Sequence, residues 1–251
     1  MISKDFFESL EVIADERGLN INDILAKVEL AMQIACKNSD VPYKGTIKIE
    51  TDFEKKRIKF YEYKYVVEEV DPEGPRGQIT LEEAQALRSR VKVGQEIKEE
   101  VVLKDFKRKA ASMFKQNFLN ELKSLEREEA YNFFSTLVGE IVTGRVIAKN
   151  EKFVTIALGK GVEATMGLKD MLPNEEYLVG EEKKVYITKV EKTGKGPKVF
   201  ISRANKEIIR KLFEVNVPEV ASGLIEIEGI SRDAGNRTKV GVRSLSPEVD
   251  A

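Results

Sequence analysis

Phe153 is the aromatic residue around which the most chemistry can be assembled, because it follows "AKNEK" in a segment whose cations are Arg145, Lys149 and Lys152. A ring that stacks on a base, with cations that neutralise phosphates, is what single-stranded RNA requires of a protein surface. A period-two count sets Phe153 out of phase with Val154 and Ile156. The ring therefore either projects from the outer face of a strand or fills the core with the other apolar residues. Lys195, held outward by the turn "TGKGP", and Lys198 and Arg203 in "KVFISR" extend the candidate cations.

Other chemistries are poorly supplied. The chain has 0 His, which removes the commonest general base and metal ligand near neutral pH. A lone cysteine, Cys36, beside Ile34 and Ala35, permits neither an internal disulfide nor a cysteine metal cluster, and reads as a core residue in a reducing compartment. The carboxylate pairs Glu99/Glu100 and Glu128/Glu129 lie in charge-rich runs, not in an apolar frame that would raise a pKa. "GKGVEATMG" lacks the Lys-Ser/Thr and the following helix of a phosphate loop. No catalysis, metal or cofactor is expected. With Lys+Arg 42 and Asp+Glu 43 nearly cancelling, any nucleic-acid surface must come from local sorting of charge. No apolar run has the roughly 18 residues of a membrane span, so no membrane is expected and the cytoplasm is the expected location.

The elements that must position these residues are legible from periodicity. Phe6, Phe7, Leu10, Ile13 and Ala14 form a helical stripe with Ser3 as N-cap, and Gly18 ends it. A second helix follows an Asn20 or Asn22 cap, with Ile24, Leu25, Val28, Ala31 and Ala35 on one face. The pattern then alternates: Ile47/Ile49 and Ile58/Phe60/Tyr65 predict a β-hairpin. Thr80 with Glu83 forms a capping box for a short helix, and "GQEIKEEVVL" reads as a further strand. From Lys104 to about Phe134, Ala111, Phe114, Phe118, Leu122 and Leu125 mark one long connector helix. Five strand-like runs follow, "LVGEIVTGRVIAKN", "KFVTIALG", "VEATMGL", "EKKVYITKVEK" and "KVFISR", which predict a small Greek-key barrel of the OB type. From Thr136 to Arg203 there are 12 Lys/Arg and 9 Asp/Glu, an excess of three positive charges. A helix from a Ser202 cap to about Phe213, a short helix opened by Pro218 and closed by Gly223, and a hairpin of Leu224–Ile230 and Thr238–Val242 complete the chain. The hairpin loop is expected to carry Arg232, Arg237 and Lys239. Its apolar side, Ile225/Ile227 and Val240/Val242, must either pack on the preceding helix or stay exposed.

In this order, and in the segments "FFESLEVIADERGL", "GLKDMLPNEEY" and "VFISRANKEIIRKLFEVNVPEVASGLIEIEGISRDAGNRTKV", the chain resembles the NusA family of bacterial transcription elongation and termination factors over its whole length. The resemblance implies a multidomain α+β architecture. Residues 1–134 are an N-terminal α/β domain with its long connector helix, which in the family docks on RNA polymerase. Residues 135–203 are an S1 barrel of five strands. Residues 204–251 are the helix and hairpin of a first type-II KH domain, without its Gly-x-x-Gly segment. Of the aromatic positions on an S1 binding face, Phe153 matches, with Tyr177 and Tyr186 as further candidates.

The resemblance further implies contact with the polymerase β-subunit flap, with nascent single-stranded or hairpin RNA, and with other factors of an antitermination complex. In the N-terminal domain it directs Lys104, Lys107, Arg108 and Lys109 to RNA, with Lys37 and Lys44. The function implied is regulation of pausing, termination and antitermination. An accessory RNA-binding subunit of an RNA-degradation or translation complex is the alternative, because S1 domains occur there as well.

Overall fold

The computed structural model describes residues 4–37, 45–75, 77–101 and 108–249. The chain divides into two compact units, Met1–Glu126 and Arg127–Ala251.

In the first unit, helices α1 (Lys4–Arg17) and α2 (Ile21–Lys37) are punctuated as their sequence requires. Gly18 takes φ 62°, which closes α1, and Asn20 caps α2 by accepting the Asn22 N–H at 2.8 Å through its side chain. The proposed Ser3 cap lies outside the described residues. Strands β1 (Thr46–Asp52) and β2 (Arg57–Val67) form the expected antiparallel hairpin. The long β2 also pairs with β3 (Gln78–Thr80), in parallel, and with β4 (Glu96–Glu100). Tyr65 is a correction to the strand reading. The phase of Ile58 and Phe60 continues through Glu62 to the buried Val66, so Tyr65 points to the opposite face and is 51% exposed. Helix α3 (Leu81–Leu87) carries the complete Thr80/Glu83 capping box. Phe7, Leu10, Val28, Met32, Ile47 and Phe60 meet Phe118, Leu122 and Leu125 in the main core. Cys36 lies in it as well, and burial, then the charge of Glu62, pushes its thiol pKa up to about 12.

Helix α4 (Arg108–Thr136) is continuous for 29 residues, about 43 Å at ~1.5 Å per residue. Leu122 and Leu125 lie in the core of the first unit, and Ala130 and Phe134 in that of the second. Ala111, expected on its apolar stripe, is exposed and Ala110 is buried, because the first turn meets the core with the flank of that stripe.

The second unit opens with the five-stranded sheet: β5 (Ile141–Lys149), β6 (Phe153–Gly159), β7 (Val162–Gly167), β8 (Glu182–Thr193) and β9 (Gly196–Ser202). The order β7-β6-β5-β8-β9 is antiparallel throughout, and β7 lies against β9, so the sheet is a nearly closed barrel. Register breaks at Ile147, Leu158 and Thr188 supply the bends that closure needs. Val146, Val154, Ile156, Met166, Val185 and Ile187 fill it, sealed by Phe134. Gly144 is required here by close approach, since a Cβ would lie 2.9 Å from the Ala157 carbonyl oxygen.

Helices α5 (Glu207–Asn216) and α6 (Pro218–Ala221) precede the hairpin of β10 (Ile225–Asp233) and β11 (Arg237–Ser244). Pro218 opens α6 as expected, and Gly223 follows it with φ 73°. Ser202 is not the cap of α5. It ends β9, and its hydroxyl accepts the Asn205 N–H at 3.1 Å in a connecting turn, so the helix begins at Glu207. The hairpin is longer than expected because Asp233 pairs directly with Arg237 across a tight turn. Arg232 and Arg237 therefore lie on strands, not in a loop, and Lys239 lies within β11. Its apolar side does both things that were open: Ile227 is buried beside α5, whose Arg210 donates to its carbonyl at 2.8 Å, while Val242 stays 38% exposed.

Candidate nucleic-acid interface

The outer surface of β5, β6 and β7 holds the strongest candidate site. Val154 and Ile156 point into the barrel at 0% exposure, which turns Phe153 outward at 39% and decides between the two placements its phase allowed. Across the ladder its partner is Gly167, which has no side chain to cover the ring. Asn150 fixes the start of the strand: its side-chain oxygen accepts the N–H groups of Lys152 at 2.9 Å and Phe153 at 2.8 Å. A floor of small residues, Ala148, Thr155 and Thr165, continues from the ring to Arg145, which is paired with Ala157 in the register. Small-sided strands with one exposed ring and flanking cations suit bases laid across a sheet. Arg145, Lys149 and Lys152 are all exposed, and the 3.7 Å ion pair of Arg145 with Glu182 is a surface pair of little strength.

The remaining candidates separate into exposed and committed groups. Lys195 and Lys198 are exposed on the β8–β9 hairpin, with the Lys198 ammonium 4.9 Å from the centre of the Phe200 ring. Arg237 and Lys239 are exposed on the side of the terminal hairpin opposite Ile227. Arg203 is a correction: Nε and Nη2 hold Glu175 at 2.6 Å each and Nη1 donates to the Lys184 carbonyl, so it clamps the barrel to the following turn. Arg232 is half-buried, with Nη1 donating to the Asn205 carbonyl at 2.7 Å. Tyr177 is another correction. It is 1% exposed in the barrel core, its hydroxyl accepts the Leu172 N–H, and its pKa is pushed up to about 12, chiefly by burial. Tyr186 is half-exposed on β8.

In the first unit, Arg108 and Lys109 are exposed in the first turn of α4, where no acidic residue accompanies them. Cations at a helix N-terminus oppose the helix dipole, so their presence does not serve helix stability. Lys37 is exposed at the C-terminal end of α2, where a cation suits the dipole. Lys44, Lys104 and Lys107 lie outside the described residues.

Sequence reasoning missed an aromatic and cationic face on the N-terminal sheet. Lys48 stands 4.7 Å from the Tyr63 ring centre and Lys98 4.6 Å from that of Tyr61. The period-two run Tyr61-Tyr63-Tyr65 was the available signal. Glu50 accepts from both Lys98 and Tyr63, and Lys59 pairs with Glu100, so this face is largely satisfied by itself.

The Glu175 clamp has a pH signature. Burial pushes the Glu175 carboxyl up, but hydrogen bonds from Arg203, Tyr177 and Lys183 outweigh it and hold the pKa below the ordinary 4.5. A carboxyl lowered on folding stabilises the fold above its unfolded pKa and loses that contribution as pH falls through the folded one. Urea denaturation between pH 7 and about pH 3 should thus show an acid-limb loss of stability in the second unit that Glu175→Gln reduces. An unchanged acid limb in the variant would contradict the clamp.

Among the described residues no helix is long and apolar enough to cross a membrane, and no group of three potential metal ligands converges.

Three family models match successive parts of the chain: the NusA N-terminal domain over residues 5–128, the S1 RNA binding domain over 137–202, and the NusA-like first KH domain over 203–251. The chain is similar to the transcription termination/antitermination protein NusA of Bacillus subtilis (strain 168), 34% identical over 249 residues, covering 99% of this chain and 66% of that protein. The protein of the same name from Thermus thermophilus is 33% identical, again covering 99% of this chain and 66% of the relative. That from Halalkalibacterium halodurans is 34% identical, with 64% of its length covered. The chain thus spans slightly less than two thirds of the length of these relatives. A solution structure of the N-terminal domain of NusA from B. subtilis aligns with 50% of this chain and 99% of that one, at 28% identity and a TM-score of 0.35.

Proposed function

The chain belongs to the NusA family, and on that premise we propose that it is a non-enzymatic, cytoplasmic transcription factor that binds RNA polymerase and nascent RNA to regulate pausing, termination and antitermination. Residues 1–134 carry the polymerase contact, at the β-subunit flap, with Lys37, Arg108 and Lys109 turned to RNA as it emerges. The S1 barrel, residues 135–203, and the KH portion, residues 204–251, hold the RNA beyond it. Other factors of an antitermination complex are further partners.

The observation that carries this reading is the outward Phe153 ring beside Gly167 on the barrel of a chain that also has an N-terminal domain of the NusA type. Phe153 stacks one base, and Arg145, Lys149 and Lys152 neutralise phosphates on either side. Arg237 and Lys239 on the terminal hairpin add a second weak contact. Linked weak contacts reinforce one another because binding of the first raises the effective concentration of RNA at the second. The mechanism is positional. Holding RNA at the exit path favours one of the states available to the elongation complex in proportion to the difference in affinity, with no bond made or broken by this chain.

The test is photocross-linking in a reconstituted elongation complex carrying 4-thiouridine in the nascent RNA. The RNA should label the second unit of the chain, and a protein cross-linker should join its first unit to polymerase.

A further inference from the structure

Between the barrel, α5 and β10, all within the second unit, lies a cleft of about 290 Å³. That is near the lower end of small-molecule sites, which run from ~300 to ~1,000 Å³. Its lining combines apolar side chains, Ile209 and Leu212 among them, with the cationic Arg232, Lys184 and Arg203.

The cations are not equivalent. Arg203 has its guanidinium committed to Glu175 and the Lys184 carbonyl. Lys183 is held by Glu181 at 2.7 Å and Glu175 at 3.3 Å. Arg232 donates once, to the Asn205 carbonyl, and has no carboxylate partner among the described residues. A guanidinium has five N–H donors, so most of those of Arg232 remain. Its pKa is lowered, first by burial and then by the charge of Arg203. A half-buried cation beside another cation is costly to hold, and an arriving anion relieves that cost. The Lys184 side chain is exposed, with no ion-pair partner among the described residues. The carboxylate at the rim, Glu182, faces Arg145.

The cleft is continuous with the Phe153 face. Arg145 is paired with Ala157 on one side and Glu182 on the other, and Lys184 sits two residues along β8 from Glu182. A strand laid from β6 across β5 to β8, with neighbouring strands ~4.8 Å apart, arrives at the cleft.

We propose that the cleft takes one nucleotide of the single-stranded RNA, its phosphate on Arg232 and Lys184 and its base against Ile209 and Leu212. This rests on the RNA-binding reading above and adds to it a defined nucleotide position between barrel and KH portion.

The test uses the full chain and a fluorescent single-stranded RNA 10-mer, with anisotropy titrations at several salt concentrations. Lys184→Gln removes only a solvent-exposed ammonium. It should weaken binding several-fold and reduce the slope of log affinity against log salt by about 0.7, the value for one single-strand phosphate contact. In methyl-labelled protein, the Ile209 δ1 resonance should shift on adding the 10-mer while that of Ile24, in the other unit, does not. Parent-like affinity and slope for Lys184→Gln, or an unmoved Ile209 while Phe153→Ala still weakens binding, overturns the cleft and leaves the RNA-binding reading intact. An equal Ile209 shift with inorganic phosphate alone overturns the nucleotide assignment. No binding of the 10-mer by the parent chain overturns both readings.

Discussion

Replacing Phe134 with alanine lowers the stability of the barrel by about 3–5 kcal/mol, the usual range for removing a fully buried ring from a core that cannot collapse around the space. Phe134 is 1% exposed at the C-terminal end of α4 and belongs to the core formed by Val146, Val154, Ile156, Val185 and Ile187. Its ring also stands edge-on to Phe133, with centroids 5.2 Å apart and an angle of 83° between planes. Alanine loses both the ring's transfer free energy and its contacts, and helix and strands on every side limit relaxation. Hydrogen exchange at the amides of Val146, Ile156 and Val185, under native conditions, reads the change directly. Protection should fall there and remain at Ile58 and Phe60 in the N-terminal sheet. Unchanged protection in the barrel would mean that the helix end is not part of its core.

Phe153→Ala is expected to leave that stability nearly unchanged and to weaken single-stranded RNA binding by about 1–3 kcal/mol, the value for one base stacked on an aromatic ring. The contrast with Phe134 comes from orientation alone. Phe153 is 39% exposed opposite a glycine, and its strand start is fixed by Asn150, so the backbone beneath the ring is already ordered before binding. The loss should appear equally at low and high salt, because stacking releases no counterions. Lys149→Gln and Lys152→Gln should instead flatten the salt dependence. An anisotropy titration in which Phe153→Ala binds as the parent does would place base stacking elsewhere. A variant that unfolds would return the ring to the core.

These two phenylalanines also mark what the sequence made legible. Local rules were sufficient where one residue type has one cause: the Thr80/Glu83 capping box, the proline opening α6, the glycine after it, and the period-two runs of the five barrel strands. The placement of Phe153 was undecided because phase says which side a residue takes, not which side is filled, and only closure of the barrel decides that. Charge was least legible. Lys149 and Arg203 look alike in a sequence, yet the first is exposed with no ion-pair partner among the described residues and the second is spent on Glu175, 28 positions away in the chain. Tyr177 was equally ambiguous, since a tyrosine suits an RNA surface and a core with a polar exit for its hydroxyl. Ser202 misled because Ser before an apolar helical run is a good cap signal, while the intervening turn is held by bonds to the distant Asp170 carbonyl, from the N–H groups of Arg203 and Ala204. Arg232 and Arg237 lie on strands, and not in the longer loop their polar surroundings suggest, because a tight turn at Gly235, with φ 83°, needs few residues.

In the proposed reading the first unit holds polymerase and meets the emerging RNA through Lys37, Arg108 and Lys109, and the second unit carries the extended RNA contact. The most direct measurement is mass-spectrometric mapping of cross-links from 4-thiouridine in the nascent transcript of an elongation complex bound to the full chain. RNA-linked peptides containing Lys149–Phe153 and Arg237–Lys239 are expected, together with protein cross-links from the first unit to the polymerase. RNA cross-links confined to the first unit, or a chain that joins ribosomes or a nuclease and not polymerase, would contradict that reading.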